Sequence, residues 1–180
     1  MKYVQQCLVT TVSLIAIVPI LTAPLPAGAV EIHGTESELW FNVSLGHLAL
    51  TNLGSGHYNT AFGSYALHSN TGGNNNTASG AHALKNNTEG DDNTACGNLA
   101  LHSNTTGNNN TASGARALYK NTTGDNNTAS GAAALRNNSS GQHNTASGFE
   151  ALYSNIRGHG NTASGAYALY KNTTGNNNTA

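Results

Sequence analysis

Asn59-Thr-Ala-Phe-Gly-Ser-Tyr-Ala-Leu-His-Ser-Asn-Thr-Gly-Gly-Asn-Asn75 is the first complete copy of a 17-residue unit that recurs without insertion to the end of the chain. Asn-Thr-Ala opens the copies at Asn59, Asn76, Asn93, Asn110, Asn127, Asn144, Asn161 and Asn178. Self-similarity at a short fixed period is the signature of a solenoid or fibre, in which each unit buries its apolar side only against its neighbours. Working outward, Asn42 to Tyr58 is a degenerate copy with Gly46, Ala49, Leu50 and Gly56 in register, its opening changed to Asn42-Val43-Ser44.

Numbered 1 to 17, the unit is constant at a few places. Position 5 is glycine throughout (Gly63 to Gly165), as is position 15, and positions 8 and 9 are Ala-Leu in every full copy. The leucines, Leu67, Leu84, Leu101, Leu118, Leu135, Leu152 and Leu169, are the expected core. Positions 12 to 15 read Asn-x-x-Gly, which predicts a type I turn closing each unit. Helix is excluded by glycine at both ends of each short apolar stretch and by Asn and Thr, whose side chains compete for backbone groups. The expectation is an all-β parallel solenoid or β-roll with two short strands per coil, about positions 1 to 5 and 7 to 11. At ~4.8 Å per coil, eight coils make a rod ~38 Å long, with Asn at positions 1, 12 and 17 stacked into ladders.

One leucine and two alanines per coil form a thin core against the entropy of ordering a whole unit. Adjacent residues of a strand face opposite sides, yet positions 8 and 9 are both apolar. Two readings follow. Either one face fills the coil and the other packs on a neighbouring chain, which points to self-assembly as a homotrimer or fibre, or Ala-Leu straddles a bend and both side chains point inward.

The chain opens with Lys2, an apolar run from Cys7 to Leu21 and a small-residue cleavage pattern at Ala27-Gly28-Ala29, so residues 1–29 read as a signal peptide. Residues 30–41, with Ile32, Leu39, Trp40 and Phe41, read as an N-terminal cap, and 42–180 as the repeat domain. An exported protein, secreted or held at the cell surface, is expected, with no membrane span in its mature part. The end at Asn178-Thr179-Ala180, three residues into another copy, reads as a cut through a longer protein. Cys96 stands where other copies carry serine and is read as a small side chain replacing another.

The string at Asn110 to Asn126, Asn-Thr-Ala-x-Gly-x-x-Ala-Leu-x-x-Asn-Thr-Thr-Gly-x-Asn, resembles repeats of bacterial and phage fibre proteins, including those that end in an endosialidase-type chaperone domain. More distantly it is similar to the heads of YadA-type trimeric autotransporter adhesins, whose unit is shorter and carries Val and Ile where this chain has Thr-Ala-Ser. The resemblance covers Asn42 to Ala180. It implies a left-handed parallel β-roll wound as a homotrimer and used for attachment or as a stalk.

Only 8% of residues are charged and the formal net charge is -1. The Lys and Arg residues are scattered along the sequence, so nucleic acid is not an expected partner. No nucleophile, base and acid recur together, and the histidines are too widely spaced to share a metal. No active site, cofactor or metal is therefore expected. The variable stripe is the candidate contact face: His68, Lys85, His102, Tyr119, Arg136, Tyr153 and Tyr170 at position 10, with Tyr65, His82, Arg116 and Tyr167 at position 7. Aromatic and cationic side chains on a rigid face suit a host or surface glycan or protein. A surface-attachment fibre is the first expectation. The Thr column from Thr60 to Thr162 suggests ice binding as another, and the Asn-x-Thr/Ser sequons at Asn75, Asn86, Asn104, Asn109, Asn121, Asn126, Asn137, Asn172 and Asn177 a glycan-coated fibril.

Overall fold

The computed structural model describes Val30–His33 and residues 41–180. The expected signal peptide and most of the expected cap, including Leu39 and Trp40, lie outside the described residues.

The chain is a parallel β-solenoid. Strand β1 (Val30–His33) pairs antiparallel with β2 (Asn42–Leu45), which belongs to the degenerate first coil. Seven three-residue strands follow in strict order: β3 (Thr60–Phe62), β4 (Thr77–Ser79), β5 (Thr94–Cys96), β6 (Thr111–Ser113), β7 (Thr128–Ser130), β8 (Thr145–Ser147) and β9 (Thr162–Ser164). Each is parallel to the last and one full unit on, so Thr pairs with Thr and Ala with Ala. In the degenerate coil Val43 pairs with Thr60, and Leu50 is as hidden as any later leucine.

Only one strand forms per coil. Positions 7 to 11, the expected second strand, are a pair of tight turns: the Ala117 N–H bonds the Gly114 carbonyl at 3.2 Å, and the Asn121 N–H bonds the Leu118 carbonyl at 3.0 Å. Positions 7 and 9 are left-handed, as at Arg116 (φ 59°) and Leu118 (φ 50°). That backbone is closed to a strand, and it resolves the Ala-Leu puzzle. Ala117 and Leu118 are both 0% exposed within one chain, so the pair straddles a bend and no second apolar face remains there for a neighbouring chain. Leu67, Leu84, Leu101, Leu118, Leu135 and Leu152 are all fully buried, while Leu169, in the last full coil, is partly so.

Coils remain hydrogen-bonded outside the sheet, since the Leu118 N–H reaches the Ala134 carbonyl of the next coil at 3.0 Å and the Lys120 N–H the Arg136 carbonyl at 3.0 Å.

Two of the five side chains that each central coil buries are amides. The asparagines of positions 1 and 12 are fully buried through the middle of the rod, and each finds its partners within the stack. Asn110 Nδ2 donates to the Gly124 carbonyl at 2.8 Å and Asn121 Nδ2 donates to the same oxygen at 2.9 Å. Each column also bonds from coil to coil, Asn110 to Asn93 at 3.1 Å and Asn121 to Asn104 at 2.8 Å. The position-15 glycine sits where these columns meet. A Cβ on Gly107 would lie 2.5 Å from both Asn104 Oδ1 and the Gly124 carbonyl, so no side chain fits. The Asn-x-x-Gly bend is thus closed by a side-chain amide, and in two coils the glycine N–H turns to the next coil: the Gly73 N–H reaches the Thr88 carbonyl and the Gly90 N–H the Thr105 carbonyl, each at 3.2 Å. In the type I turn expected from the sequence that N–H would bond back to position 12.

A third ladder, at position 16, points the other way along the stack. The Asn108 N–H donates to Asp125 Oδ1 at 2.7 Å, and the Gln142 N–H to His159 Nδ1 at 3.0 Å. Position 17 is left-handed, and in the full coils it is filled by residues that accept such a backbone, Asn75, Asp92, Asn109, Asn126, His143, Gly160 and Asn177, while the degenerate coil carries Tyr58 there at φ 57°.

Candidate functional site

Positions 7 and 10 flank the buried Ala-Leu pair and carry their side chains along one edge of the rod. The rings stack on one another from coil to coil. Tyr65 lies parallel to His82 at 5.1 Å between centroids, and His102 lies on Tyr119 at 5.2 Å. The Arg136 guanidinium sits between Tyr119 and Tyr153, 5.3 Å and 5.6 Å from their centroids, and donates to the Tyr153 hydroxyl at 3.1 Å. Tyr153 stacks on Tyr170 at 5.1 Å, and Tyr167 meets Tyr170 edge-on. Toward the other end Lys85 Nζ lies 5.2 Å over the Tyr65 ring, and His68 tilts against that same ring. The residues chosen from the sequence, Arg116 excepted, form one ladder, with His82 at 6.4 Å from His102 joining its lower part.

This ladder has a chemical consequence. Along the stacked part of the ladder ring faces are taken up by the next ring or cation, and what meets solvent there is a row of ring edges, hydroxyls, imidazole nitrogens and guanidinium groups, while Tyr167 at one end is met only edge-on and is exposed. The His102 imidazole is held below its ordinary value first by burial, then by the positive charge of Lys85 and of His82. The neutral ring is favoured there, as suits stacking on Tyr119.

Backbone strain separates position 7 from position 17. Both are left-handed at nearly the same φ: Tyr65, His82, Leu99, Arg116, Ala133, Glu150 and Tyr167 at 54–60°, Asn75, Asn109 and Asn126 at 56°. In the full coils position 17 holds residues that ease the strain. Position 7 holds Tyr, Arg, Leu and Glu, at about 1 to 2 kcal/mol each.

Scattered in sequence, the cations gather in space. Lys85, Arg116 and Arg136 belong to the edge, and position 11 adds Lys120 and Lys171 beside it, which sequence reading passed over. A groove of about 640 Å³ runs between the position-11 and position-13 columns, lined by Lys120, Asn137, Ser154, Thr122, Ser139 and Thr173 among others. The Thr122 hydroxyl donates to the Ser139 carbonyl at 3.0 Å and lies 3.4 Å from the Ser139 hydroxyl, so the groove wall is itself hydrogen-bonded from coil to coil.

The sheet presents a second distinct face. Thr77, Thr111, Thr128 and Thr145 are exposed, and so are Ser79, Ser113, Ser130 and Ser147 two residues on, while the alanine between points inward. The Thr column expected from the sequence therefore has a Ser column beside it, interrupted by Cys96, also exposed, and by Phe62. Of the sequon asparagines, Asn104 and Asn121 are fully buried, whereas Asn75, Asn109, Asn126 and Asn177 are exposed. Among the described residues no group of three metal-ligating side chains converges.

Comparison with protein-family models, curated proteins and solved structures returned no match for this chain.

Proposed function

We propose that the chain is the repeat rod of an exported surface fibre, and that the edge of positions 7 and 10 is the face by which it attaches. The observation that carries this reading is the strain at position 7. Side chains are kept there against a conformational cost that Asn or Gly would remove, as position 17 removes it. A ladder whose only task was to hold the rod would not need Arg116 or Glu150, which make no ring contact in it. Purified protein, compared with a variant in which Tyr153, Tyr167 and Tyr170 are each replaced by Asn, tests the assignment: adhesion to cells or a glycan array falls for the variant while the melting temperature stays within a few degrees. Equal adhesion of both proteins would remove the edge from the function. Assembly as a homotrimer, as the resemblance implies, has to use an outer face of the rod, because Ala-Leu is satisfied within one chain.

A second reading, ice binding, is favoured by one observation: the Thr and Ser columns stand side by side on a flat uncharged face, ~6.6 Å apart across the strand and ~4.8 Å apart along the stack. Thermal hysteresis of the purified protein decides it. None at millimolar concentration would end that reading.

A further inference from the structure

Beyond Lys2 the chain holds six Lys and Arg residues, and five of them, Lys85, Arg116, Lys120, Arg136 and Lys171, fall at positions 7, 10 or 11. The acids of the repeats lie elsewhere: Glu89 at position 14, Asp91 and Asp125 at 16, Asp92 at 17, with Glu150 alone at position 7. A chain of net charge -1 therefore folds into a rod with one basic edge. Among the described residues no carboxylate pairs with these five cations. Arg116, Lys120 and Lys171 are exposed.

The groove adjoins this edge and runs along it, from Ser103 in one coil to Thr173 four coils on, about 19 Å at ~4.8 Å per coil. A shallow trough open along its length suits a chain molecule better than a compact ligand. Its walls are five hydroxyl side chains, the Asn137 amide and the apolar side chain of Ile156, with Lys120 beside them, which matches a polymer that offers both hydroxyl groups and the C–H faces of sugar rings. The neighbouring cations call for one that also carries negative charge.

Two polymers of that description are an acidic polysaccharide and a single-stranded nucleic acid, and the ladder separates them. Nucleic acid strands bind by stacking their bases on free aromatic faces. Here Tyr119, Tyr153 and Tyr170 stack on Arg136 and on one another and His102 stacks on Tyr119, so Tyr167, exposed and met only edge-on at one end of the ladder, offers an isolated open ring and not a run of them. Hydrogen bonding and charge remain, and sugars with carboxylate or sulfate groups use both.

We propose that the groove and the basic edge of positions 7, 10 and 11 bind a linear acidic polysaccharide laid parallel to the rod. This rests on the reading of the edge as the attachment face and names what it attaches to.

Polygalacturonate, neutral dextran and oligo-dT are titrated against the full chain by calorimetry at low and at physiological salt. Polygalacturonate binds, dextran does not, and the affinity falls steeply as salt rises. Replacing Arg116, Lys120 and Lys171 together by Gln weakens binding ~10- to 100-fold at low salt and flattens the salt dependence, because three fewer counterions are displaced. Arg116→Lys with Lys120→Arg and Lys171→Arg keeps both, and Asp92→Asn, away from the edge, changes neither. Circular dichroism melts check that each variant is folded. Dextran binding as tightly as polygalacturonate, or oligo-dT binding more tightly, overturns the inference and leaves the edge as an attachment face. Failure of all three polymers to bind overturns it too, while loss of cell adhesion in the tyrosine variant still tests the attachment reading on its own.

Discussion

Replacing Asn110 by Ala should destabilise the rod about as much as removing a core leucine. Its side chain makes four hydrogen bonds in a fully buried site. Nδ2 donates to the Gly124 carbonyl at 2.8 Å and to Asn93 Oδ1 at 3.1 Å, and Oδ1 accepts the Asn127 N–H at 3.0 Å and Asn127 Nδ2 at 3.1 Å. Truncation does not orphan the acceptors. Asn93 Oδ1 still receives the Asn110 N–H, and the Gly124 carbonyl still receives Asn121 Nδ2. The donors of Asn127 are the loss: its main-chain N–H and one amide proton are left buried and unpaired. At ~1 to 3 kcal/mol for each unmet buried donor the cost is ~2 to 6 kcal/mol, against ~2 to 5 kcal/mol for Leu118→Ala. Urea unfolding of the two variants gives the comparison, and hydrogen exchange at the Asn127 N–H gives a local readout that does not depend on the whole array melting as one unit. A change within ~0.5 kcal/mol, the range of an ordinary surface substitution, or an Asn127 amide that stays slow to exchange, would refute the claim that the amide ladders hold the interior together.

Gly107→Ala should cost several kcal/mol by urea unfolding, since its Cβ would meet the Asn104 amide and the Gly124 carbonyl, both themselves held in the stack. Leu118 sits at φ 50°, so Leu118→Met should cost under ~1.5 kcal/mol and the β-branched Leu118→Ile clearly more, an order that differential scanning calorimetry can read. His102 gives a pH dependence of known sign. Its folded value lies below the ordinary 6.5, so its contribution is fully present above that pH and is lost as pH falls from there through the folded value. His102→Tyr, the residue three other coils carry at this position, should flatten the fall in melting temperature over that interval. Arg116→Asn should raise stability by up to ~1 kcal/mol, because Asn accepts the left-handed backbone better than Arg, while weakening polygalacturonate binding.

Much of this was legible in the sequence because the chain states each rule once per coil. Period, parallel register, the buried leucines and the degenerate first coil all follow from counting to 17. The second strand was misplaced for a physical reason. Nothing in Ala-Leu announces a left-handed leucine, since leucine rarely adopts that backbone, and only the flanking turns and the ladder bonds of the next coil hold it there. The basic edge was hidden for a different reason: Lys85 and Lys171 stand 86 positions apart, and only wrapping at the coil period aligns them. Lys120 and Lys171 were passed over because the other five copies hold Ser or Asn at position 11, and only the groove, which Lys120 lines, gives that column a role.

Positions 7 and 17 separate what the fold requires from what it merely permits. Both present the same left-handed backbone to solvent, so both should settle on Asn, Asp or Gly if stability alone chose their occupants. In the full coils position 17 does, His143 apart. At position 7 the strain is borne by Tyr65, Arg116, Glu150 and Tyr167, and ring stacking accounts for only part of this, since Arg116 is exposed and stacks on nothing. Because each coil is tied to its neighbours by ladders at positions 1, 12 and 16, the loss from one strained residue is small beside what the stack holds. A rod built this way can carry side chains on one edge that its own folding disfavours, and that is the condition under which a contact surface can vary from coil to coil while the scaffold beneath it stays constant.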